Sequence, residues 1–169
     1  MSRPSFIPKH NTPERDIIMT PEPCAIDIIS HFSPTGAILD PCRGEGAFYN
    51  NYPISCEKDW CELEEGKDFF TYDKKVDWII TNPPFSKYRK FILHGLTLSN
   101  NSVWLMPTWK FFLSDGLVRS VYEYGGIKEI RHYATGSKLG WEMGNGIAAI
   151  HIQKKYEGDI SFSFSEVYK

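Results

Sequence analysis

Residues 76–85 have the sequence VDWIITNPPF, in which a short apolar run leads directly into two adjacent prolines. The first six of these residues predict a buried β-strand, because apolar and β-branched side chains dominate the run. Proline cannot donate a ladder hydrogen bond, so the strand must end before Pro83 and Pro84. An amide side chain, a rigid backbone and an aromatic ring therefore stand together where this strand ends.

Strands and helices are predicted to alternate on both sides of this stretch. The predicted strands are residues 37–40, 53–57, 76–81, 103–106, 127–133, 147–153 and 160–164. Helices are predicted to start after Thr20 and after Ser86, and a third spans residues 114–124. Short apolar strands separated by helices predict an α/β fold with a mostly parallel seven-stranded sheet, covered on both faces and completed by an antiparallel edge.

A single domain fits the length of 169 residues. Residues 1–16 contain three prolines and mixed charge, which predicts an irregular N-terminal arm ahead of a domain of residues 17–169. The composition, 41% hydrophobic and 24% charged, excludes a disordered chain and a coiled coil. Neither an apolar run long enough for a transmembrane helix nor a secretory signal is visible, so we expect a cytoplasmic protein without membrane contact.

The cysteine pattern and the net charge narrow the choice of partners. Cys24, Cys42, Cys56 and Cys61 form no C-x-x-C pair, so we expect reduced thiols and no metal site. A net charge of −2 is a poor profile for a protein that holds long duplex nucleic acid by charge alone, although it leaves room for a local basic face.

Ligands of parallel sheets bind beyond the carboxyl ends of the strands, and residues 40–48 (DPCRGEGAF) follow one such end. Gly44 and Gly46 let the backbone approach a ligand closely. A nicotinamide-binding fingerprint needs a third glycine where this chain has Tyr49, so a pyrophosphate site is disfavoured. Asp40 at the strand end suits a cationic ligand group, such as an amino group or a sulfonium, and a plain tight turn is the alternative.

The end of the next predicted strand offers a second acidic residue. Glu57 is predicted to close the strand of residues 53–57, 11 residues after Gly46. In nucleotide-binding sheets a carboxylate at this position accepts hydrogen bonds from two ribose hydroxyls. The alternative is a solvated glutamate without a ligand.

The loop of Asn82, Pro83, Pro84 and Phe85 suits a planar substrate with an NH₂ group. The amide oxygen of Asn82 and a backbone carbonyl can each accept one N–H, which weakens the conjugation of the nitrogen with its ring. The same acceptors stabilise the positive charge that develops on the nitrogen as it attacks an electrophile. Phe85 can stack on the plane of the substrate, unless the loop is only structural and the ring belongs to the core.

These motifs together resemble those of a known family. Asp40-Pro-x-x-Gly44-x-Gly46-x-Phe48, followed by Asn82-Pro-Pro-Phe85, is similar to the motifs of S-adenosylmethionine-dependent amino methyltransferases, in particular the N6-adenine DNA methyltransferases of gamma-type motif order. The resemblance runs from about Met19 to Gln153 and implies a class I, Rossmann-like methyltransferase fold. Residues 82–85 are its most specific part.

The resemblance also implies a cofactor site and a base site. S-adenosylmethionine would be bound by Thr20, Asp40, Pro41, Gly44, Gly46, Glu57, Asp68 and Asn82. Family members often hold the extruded target base between two aromatic rings, which here would be Phe85 and Trp141. A loop tryptophan packed on the sheet edge is the alternative for Trp141.

The cations next to the catalytic loop are candidates for binding DNA. Lys87, Arg89 and Lys90 follow the loop directly and could bind the phosphates that flank the extruded base. The alternative is that these three side chains form the solvated face of an amphipathic helix.

Two departures from the family affect what we expect of this chain. Only ten residues separate Glu57 from Asp68, so the helix that is usual between these positions should be shortened or lost. Family members append a target-recognition domain, whereas this chain ends at Lys169, about where that domain would begin. Sequence specificity is therefore expected to come from loops, from a second copy in a homodimer, or from a separate specificity subunit.

The sequence thus predicts an enzyme that transfers a methyl group from S-adenosylmethionine to the N6 amine of adenine in DNA. The same chemistry on RNA, at adenine N6 or guanine N2, or on a protein glutamine amide stays open, because the loop alone does not separate these amines. A non-catalytic cofactor-binding subunit of a methyltransferase complex is the alternative from another class of function. The intact loop of residues 82–85 argues against that alternative.

Overall fold

Seven strands pair into one sheet in the computed structural model, which describes residues 18–169. The helices and strands are α1 (Glu22–Phe32), β1 (Ala37–Asp40), β2 (Glu57–Trp60), β3 (Val76–Thr81), α2 (Tyr88–Leu98), β4 (Ser99–Pro107), α3 (Thr108–Phe112), α4 (Asp115–Tyr124), β5 (Gly125–Thr135), β6 (Gly146–Lys154) and β7 (Ser161–Phe164). Between β2 and β3 the chain forms only two short 3₁₀ turns, so the predicted loss of a helix there is confirmed. The predicted arm of residues 1–16 lies outside the described residues.

The strands are ordered β2-β1-β3-β4-β6-β5-β7 across the sheet. β2, β1, β3 and β4 run parallel to one another, whereas β6 is antiparallel to both of its neighbours, β4 and β5. β7 pairs with β5 in parallel and forms the outer edge. The predicted α/β fold with a mostly parallel sheet and an antiparallel addition is therefore confirmed.

The central strand β3 has both of its predicted ends. It lies between β1 and β4, and its last residue, Thr81, pairs with Trp104 of β4. Because β1, β3 and β4 run parallel, their carboxyl ends, at Asp40, Thr81 and Pro107, lie at one edge of the sheet. We call this edge the carboxyl edge, and it is where the sequence predicts a ligand.

The second strand is not where the sequence predicts it. β2 comprises Glu57–Trp60 rather than residues 53–57, and Glu57 pairs with Ala37 at the beginning of β1. Residues 53–56 form a turn instead. β2 is an outer strand whose first two residues are exposed, so it lacks the apolar pattern that marks a buried strand.

The three long helices begin within about two residues of their predicted starts. α1 has Pro21 at its N-cap position, so Thr20 does not cap it, and the N-cap residue of α2 is Lys87 rather than Ser86. At the start of α4, the Ser114 hydroxyl accepts a hydrogen bond from the N–H of Leu117 (3.3 Å).

Helices cover both faces of the sheet, as predicted. On one face α1 places Asp27 against β5, where its carboxylate accepts hydrogen bonds from Arg131 Nε (3.1 Å) and from the Tyr133 hydroxyl (2.6 Å). Burial alone would raise the pKa of Asp27, but these hydrogen bonds hold it below its ordinary value. On the other face α2 lies so close that a Cβ atom on Gly95 would sit 2.7 Å from the Trp104 ring. No helix among residues 18–169 combines the length and the hydropathy needed to cross a bilayer.

Candidate active site

A cavity of about 850 Å³ opens at the carboxyl edge, beyond the ends of β1 and β3. Most of its wall comes from four segments: residues 18–22, the glycine loop (residues 41–48), the acidic turn (residues 62–70) and the loop after β3 (residues 82–87). We call this last segment the catalytic loop, after the role that the sequence predicts for it, and it contributes Asn82, Pro83, Pro84 and Lys87 to the wall. A cavity of this size is in the range that holds a drug-sized ligand. Six residues predicted to bind the cofactor lie on this wall, namely Thr20, Pro41, Gly44, Gly46, Asp68 and Asn82.

The glycine loop turns tightly because two of its residues adopt left-handed backbone angles that favour glycine. Gly44 has a φ of +51° and Gly46 a φ of +91°. The N–H of Gly46 donates to the Arg43 carbonyl (2.8 Å), which closes the turn. The backbone of the loop therefore forms part of the cavity wall without intervening side chains at these two positions.

Asp40 lies behind the glycine loop rather than on the cavity wall. Its Oδ1 atom accepts hydrogen bonds from the Thr81 hydroxyl (2.9 Å) and from the N–H of Cys42 (3.2 Å), and its buried Oδ2 atom has no partner within the described range, residues 18–169. Burial raises the pKa of Asp40 to about 7. The side chain thus ties the end of β1 to the end of β3, which fixes the glycine loop relative to the catalytic loop.

The acidic residue at the carboxyl end of β2 is Glu62, not Glu57. Glu57 begins β2, so it lies towards the opposite edge of the sheet and does not line the cavity. Glu62 follows the end of β2 by two residues and lines the cavity, and its Oε2 atom accepts a hydrogen bond from the N–H of Gly44 (2.8 Å). Glu62 therefore lies where the sequence prediction expects a carboxylate, because β2 ends at Trp60 rather than at Glu57.

Asp68 stands on the wall at the end of the acidic turn. Its Oδ1 atom accepts a hydrogen bond from the N–H of Phe70 (3.0 Å) and so caps the short 3₁₀ turn that follows. Phe69 next to it is buried and stacks on Phe91 of α2, with ring centres 5.2 Å apart. The packing of Phe69 fixes the backbone at Asp68 and so holds its carboxylate at the cavity.

Asn82 presents an unpaired hydrogen-bond acceptor at the cavity. Its Nδ2 atom donates to the carbonyl of Ile18 (2.8 Å), whereas its Oδ1 atom is buried and has no hydrogen-bond partner among residues 18–169. Pro83 is buried, and the Pro84 carbonyl accepts a hydrogen bond from the N–H of Lys87 (2.9 Å). The Ile18 carbonyl thus sets the orientation of the amide, and the oxygen is held ready for an N–H group.

Phe85 and Trp141 are brought together, but not as the open pair that the resemblance implies. Both side chains are buried, and their rings meet edge to face with centres 6.1 Å apart and planes inclined by 63°. Neither lines the cavity. Two rings with a base stacked between them would be parallel and about 7 Å apart. The rings pack on each other because this contact buries their apolar edges, and the Trp141 indole N–H donates to the Met19 carbonyl (2.9 Å).

The three predicted phosphate-binding cations lie at the start of α2. Lys87, Arg89 and Lys90 are all exposed, and Lys87 also lines the cavity. None of them forms an ion pair with another residue in the described part of the chain. Their charges are therefore available to a ligand at the carboxyl edge.

Two groups in this site escape the sequence reasoning. Glu62 could have been found from the buried residue Cys61 just before it, which continues the path of β2 towards the carboxyl edge. The carbonyls of Ile18 and Met19, which hold Asn82 and Trp141, give no such signal, because every residue has a backbone carbonyl.

Comparison with solved structures relates this architecture to known proteins. A protein of Listeria monocytogenes described as a class I S-adenosylmethionine-dependent methyltransferase matches 95% of this chain and 70% of its own, with a TM-score of 0.74 and 13% identity. The methyltransferase subunit of a type I restriction-modification system from Streptococcus thermophilus matches 86% of this chain and 46% of its own (TM-score 0.66, 14% identity). A protein of Pyrococcus horikoshii described as an RNA methyltransferase matches 86% of this chain and 91% of its own (TM-score 0.63, 14% identity).

These matches concern the fold, since the identities are low and the chain spans less than half of the S. thermophilus subunit. No protein-family model matches the sequence, and no curated protein is significantly similar to it. The sheet order and the matched structures agree, and the chain has the class I fold of S-adenosylmethionine-dependent methyltransferases.

Proposed function

We propose that this chain is an enzyme that transfers a methyl group from S-adenosylmethionine to the N6 amine of adenine in DNA. The observation that supports the proposal most directly is at Asn82, which lines the cavity and whose buried Oδ1 atom has no hydrogen-bond partner in the part of the chain that the structure describes. A buried acceptor without a hydrogen bond destabilises a protein by about 1–3 kcal/mol, so such an atom calls for an explanation. An N–H of a substrate amine would satisfy it.

The cavity fits the cofactor that this fold class uses. We expect the backbone of the glycine loop to bind the methionine end, Glu62 to accept the ribose hydroxyls, and Asp68 to accept the adenine amine, since all of them line the cavity. The acidic side chains on the wall favour a ligand with positive charge. When bound, S-adenosylmethionine supplies an electrophilic methyl group, and its sulfur keeps the electron pair of the broken bond.

The residues of the chain orient the amine and stabilise its charge. Asn82 Oδ1 and a backbone carbonyl of the catalytic loop each accept one N–H, which directs the nitrogen lone pair towards the methyl group. The lone pair forms the new N–C bond, and the same acceptors stabilise the positive charge on nitrogen. The nitrogen then loses one proton to water. Asp40 acts indirectly, because its hydrogen bond with the Thr81 hydroxyl fixes the position of the glycine loop relative to the catalytic loop.

Base stacking on Phe85 and Trp141 belongs to the same proposal, with a condition. The two rings are in contact, so a base can enter between them only if they separate. The hydrogen bond from Trp141 to the Met19 carbonyl would break or shift in that movement. We expect the cost to be lowest for an adenine that is already unpaired, since extrusion from a duplex also breaks stacking and pairing.

The experiment that tests this function measures methyl transfer and cofactor binding in the same variants. Purified protein is incubated with labelled S-adenosylmethionine and DNA, and the nucleosides are identified by mass spectrometry. Asn82→Ala should bind the cofactor about as well as the wild type but turn over roughly a hundredfold more slowly or worse, because one transition-state acceptor is lost. Asn100→Ala is the matched control, since Asn100 lies in β4 near its beginning, at the edge of the sheet away from the cavity.

Each outcome of this experiment has a definite meaning. N6-methyladenine that depends on Asn82 supports the proposal. Methylated RNA or a methylated glutamine amide, without methylated DNA, would replace the substrate and keep the methyl-transfer mechanism. An Asn82→Ala variant that folds and turns over at the wild-type rate would refute the mechanism.

A further inference from the structure

The short helix α3 presents apolar side chains to solvent. Trp109 is 48% exposed, Phe112 is 47% exposed, and Leu113, directly after the helix, is 69% exposed. Their spacing of three and four residues puts them on one face, which we call the α3 face. Phe111 is fully buried and anchors the helix to the sheet. Large apolar side chains grouped on a surface mark a contact site.

The α3 face is at the carboxyl edge, on the side of the catalytic loop away from the glycine loop. α3 follows β4 without a break, and Trp104 of β4 pairs with Thr81, the residue before Asn82. The Nζ atom of Lys110 lies 5.9 Å from the centre of the Tyr88 ring, so α3 is a neighbour of the start of α2. A ligand that reaches the catalytic loop across α2 therefore passes this face.

Cations lie on α3 itself and at the start of the neighbouring helix α2. The cations are Lys87, Arg89, Lys90 and Lys110, and none of them is in an ion pair with any residue from 18 to 169. The next cation along the chain, Arg119, differs because Asp115 binds its Nε atom at 2.7 Å. Four cations without an ion pair in the described part of the chain, beside exposed aromatic rings, match a polyanion with flat groups. A second copy of this chain, with a net charge of −2, does not combine flat groups and negative charge along one strand in this way.

We propose that the α3 face is a stacking platform for single-stranded nucleic acid, in which Trp109 and Phe112 contact unpaired bases beside the target adenine and the four cations contact its phosphates. This inference rests on the proposed function, because the strand must continue to Asn82, and it adds the substrate class, a strand that is unpaired around its target. Stacking of bases on aromatic rings is tolerant of sequence. The platform therefore gives affinity for unpaired DNA that depends little on its sequence.

The proposed platform predicts how strongly Trp109→Ala weakens the binding of different kinds of strand. Trp109→Ala should weaken binding to a single-stranded oligonucleotide by about 30-fold, which is the middle of the range for one lost base stack. An oligonucleotide of the same length built from abasic units should bind wild type and variant alike, since it offers phosphates only. Trp109→Ala should also weaken binding to a matched duplex only a little, because the bases of a duplex are stacked on one another and not available to the Trp109 ring.

Fluorescence anisotropy of labelled strands, without cofactor, tests these expectations. Phe112→Ala is compared with Phe162→Ala, which removes the same side chain from the other end of the sheet, in β7, where it is 57% exposed. Loss of affinity in Phe112→Ala and Trp109→Ala but not in Phe162→Ala supports the platform. Equal losses in Phe112→Ala and Phe162→Ala, or an equal loss on the abasic strand, would overturn it.

Two further results separate this inference from its rivals. If Trp109→Ala abolishes self-association in analytical ultracentrifugation and leaves strand binding unchanged, the α3 face is an interface between copies and the platform is refuted. If Trp109→Ala weakens strand binding while the wild type methylates no strand, the platform stands and the proposed function fails. If the wild type methylates DNA and Trp109→Ala binds strands like the wild type, only the platform fails.

Discussion

Glu62→Ala tests the corrected cofactor site. In the structure Glu62 Oε2 accepts a hydrogen bond from the N–H of Gly44 at 2.8 Å, and among residues 18–169 Oε1 accepts one long hydrogen bond, of 3.5 Å, from the N–H of Glu64. Oε1 can therefore also accept a ribose hydroxyl. A hydrogen bond to a charged acceptor contributes about 1.5–3 kcal/mol, so its loss should weaken S-adenosylmethionine binding by roughly 10- to 150-fold.

Two variants separate the effect on the ligand from the effect on the loop. Glu62→Gln keeps an oxygen that can accept the Gly44 N–H but lacks the charge, so its affinity should fall between those of the wild type and Glu62→Ala. Glu57→Ala removes a carboxylate of the same kind at the far end of β2 and should bind the cofactor like the wild type.

Isothermal titration calorimetry with S-adenosylmethionine measures all of these affinities, and thermal unfolding without ligand checks that each variant is folded. The order wild type, Glu62→Gln, Glu62→Ala, with Glu57→Ala equal to wild type, is the expected result. The reasoning is refuted if Glu57→Ala weakens binding and Glu62→Ala does not, because β2 would then end at Glu57 in solution.

Two predictions concern stability. Gly95→Ala should lower the free energy of unfolding by about 1–3 kcal/mol, because the added Cβ would lie 2.7 Å from the buried Trp104 ring. Gly144→Ala, where a Cβ would meet nothing within 4 Å, should change it by less than about 0.5 kcal/mol in the same urea titrations, and equal effects would contradict the packing argument. Because burial raises the pKa of Asp40 from 3.8 to about 7, the folded protein retains this proton where the unfolded chain has released it, so the free energy of unfolding should fall as the pH rises through that window. Asp40→Asn should lack this fall when both proteins are unfolded in urea at pH 5 and pH 8, and parallel pH dependences would argue against a buried, protonated Asp40.

The strands that are buried on both faces could be predicted, because burial requires a run of apolar residues that is visible in the sequence. β3 and β6 are covered on both faces, so their apolar runs predict both strands within one residue of their ends. β2 lies at the outer edge and includes Lys58 and Asp59, so nothing in its composition distinguishes it from a loop. Tertiary pairing with β1, rather than local preference, makes this segment a strand.

A small error in the predicted bounds of a strand can move a predicted site residue to the opposite edge of the sheet. At about 3.3 Å per residue, a shift of four residues moves a side chain roughly 13 Å, which is the full length of β2. Glu57 thus changes from the carboxyl edge to the opposite edge, although its identity as an acidic residue is unchanged. The position of Asn82 could be predicted more securely, because the two prolines that follow it mark the end of β3 in the sequence itself.

The contact of Phe85 with Trp141 could not be predicted, because it depends on rotamers and on the carbonyl of Met19. Sequence spacing places two aromatic residues near one site, but it does not say whether their faces are parallel and apart or tilted and in contact. The resemblance implies the arrangement around a bound base, whereas in the structure the two rings are buried in edge-to-face contact with each other.

The two sides of the carboxyl edge have opposite charge, and a net charge of −2 conceals this. The cofactor cavity is lined by six carboxylates, and of its two cations Arg43 is in an ion pair with Glu65. A ligand with a positive sulfonium is attracted by this wall, whereas the neutral sulfide left after methyl transfer loses that attraction. On the other side of Asn82 the unpaired cations around the α3 face attract phosphates. Because the acidic groups line the cavity, they are separated from the surface over which a nucleic acid strand would pass, and a chain that is acidic as a whole can still bind a polyanion.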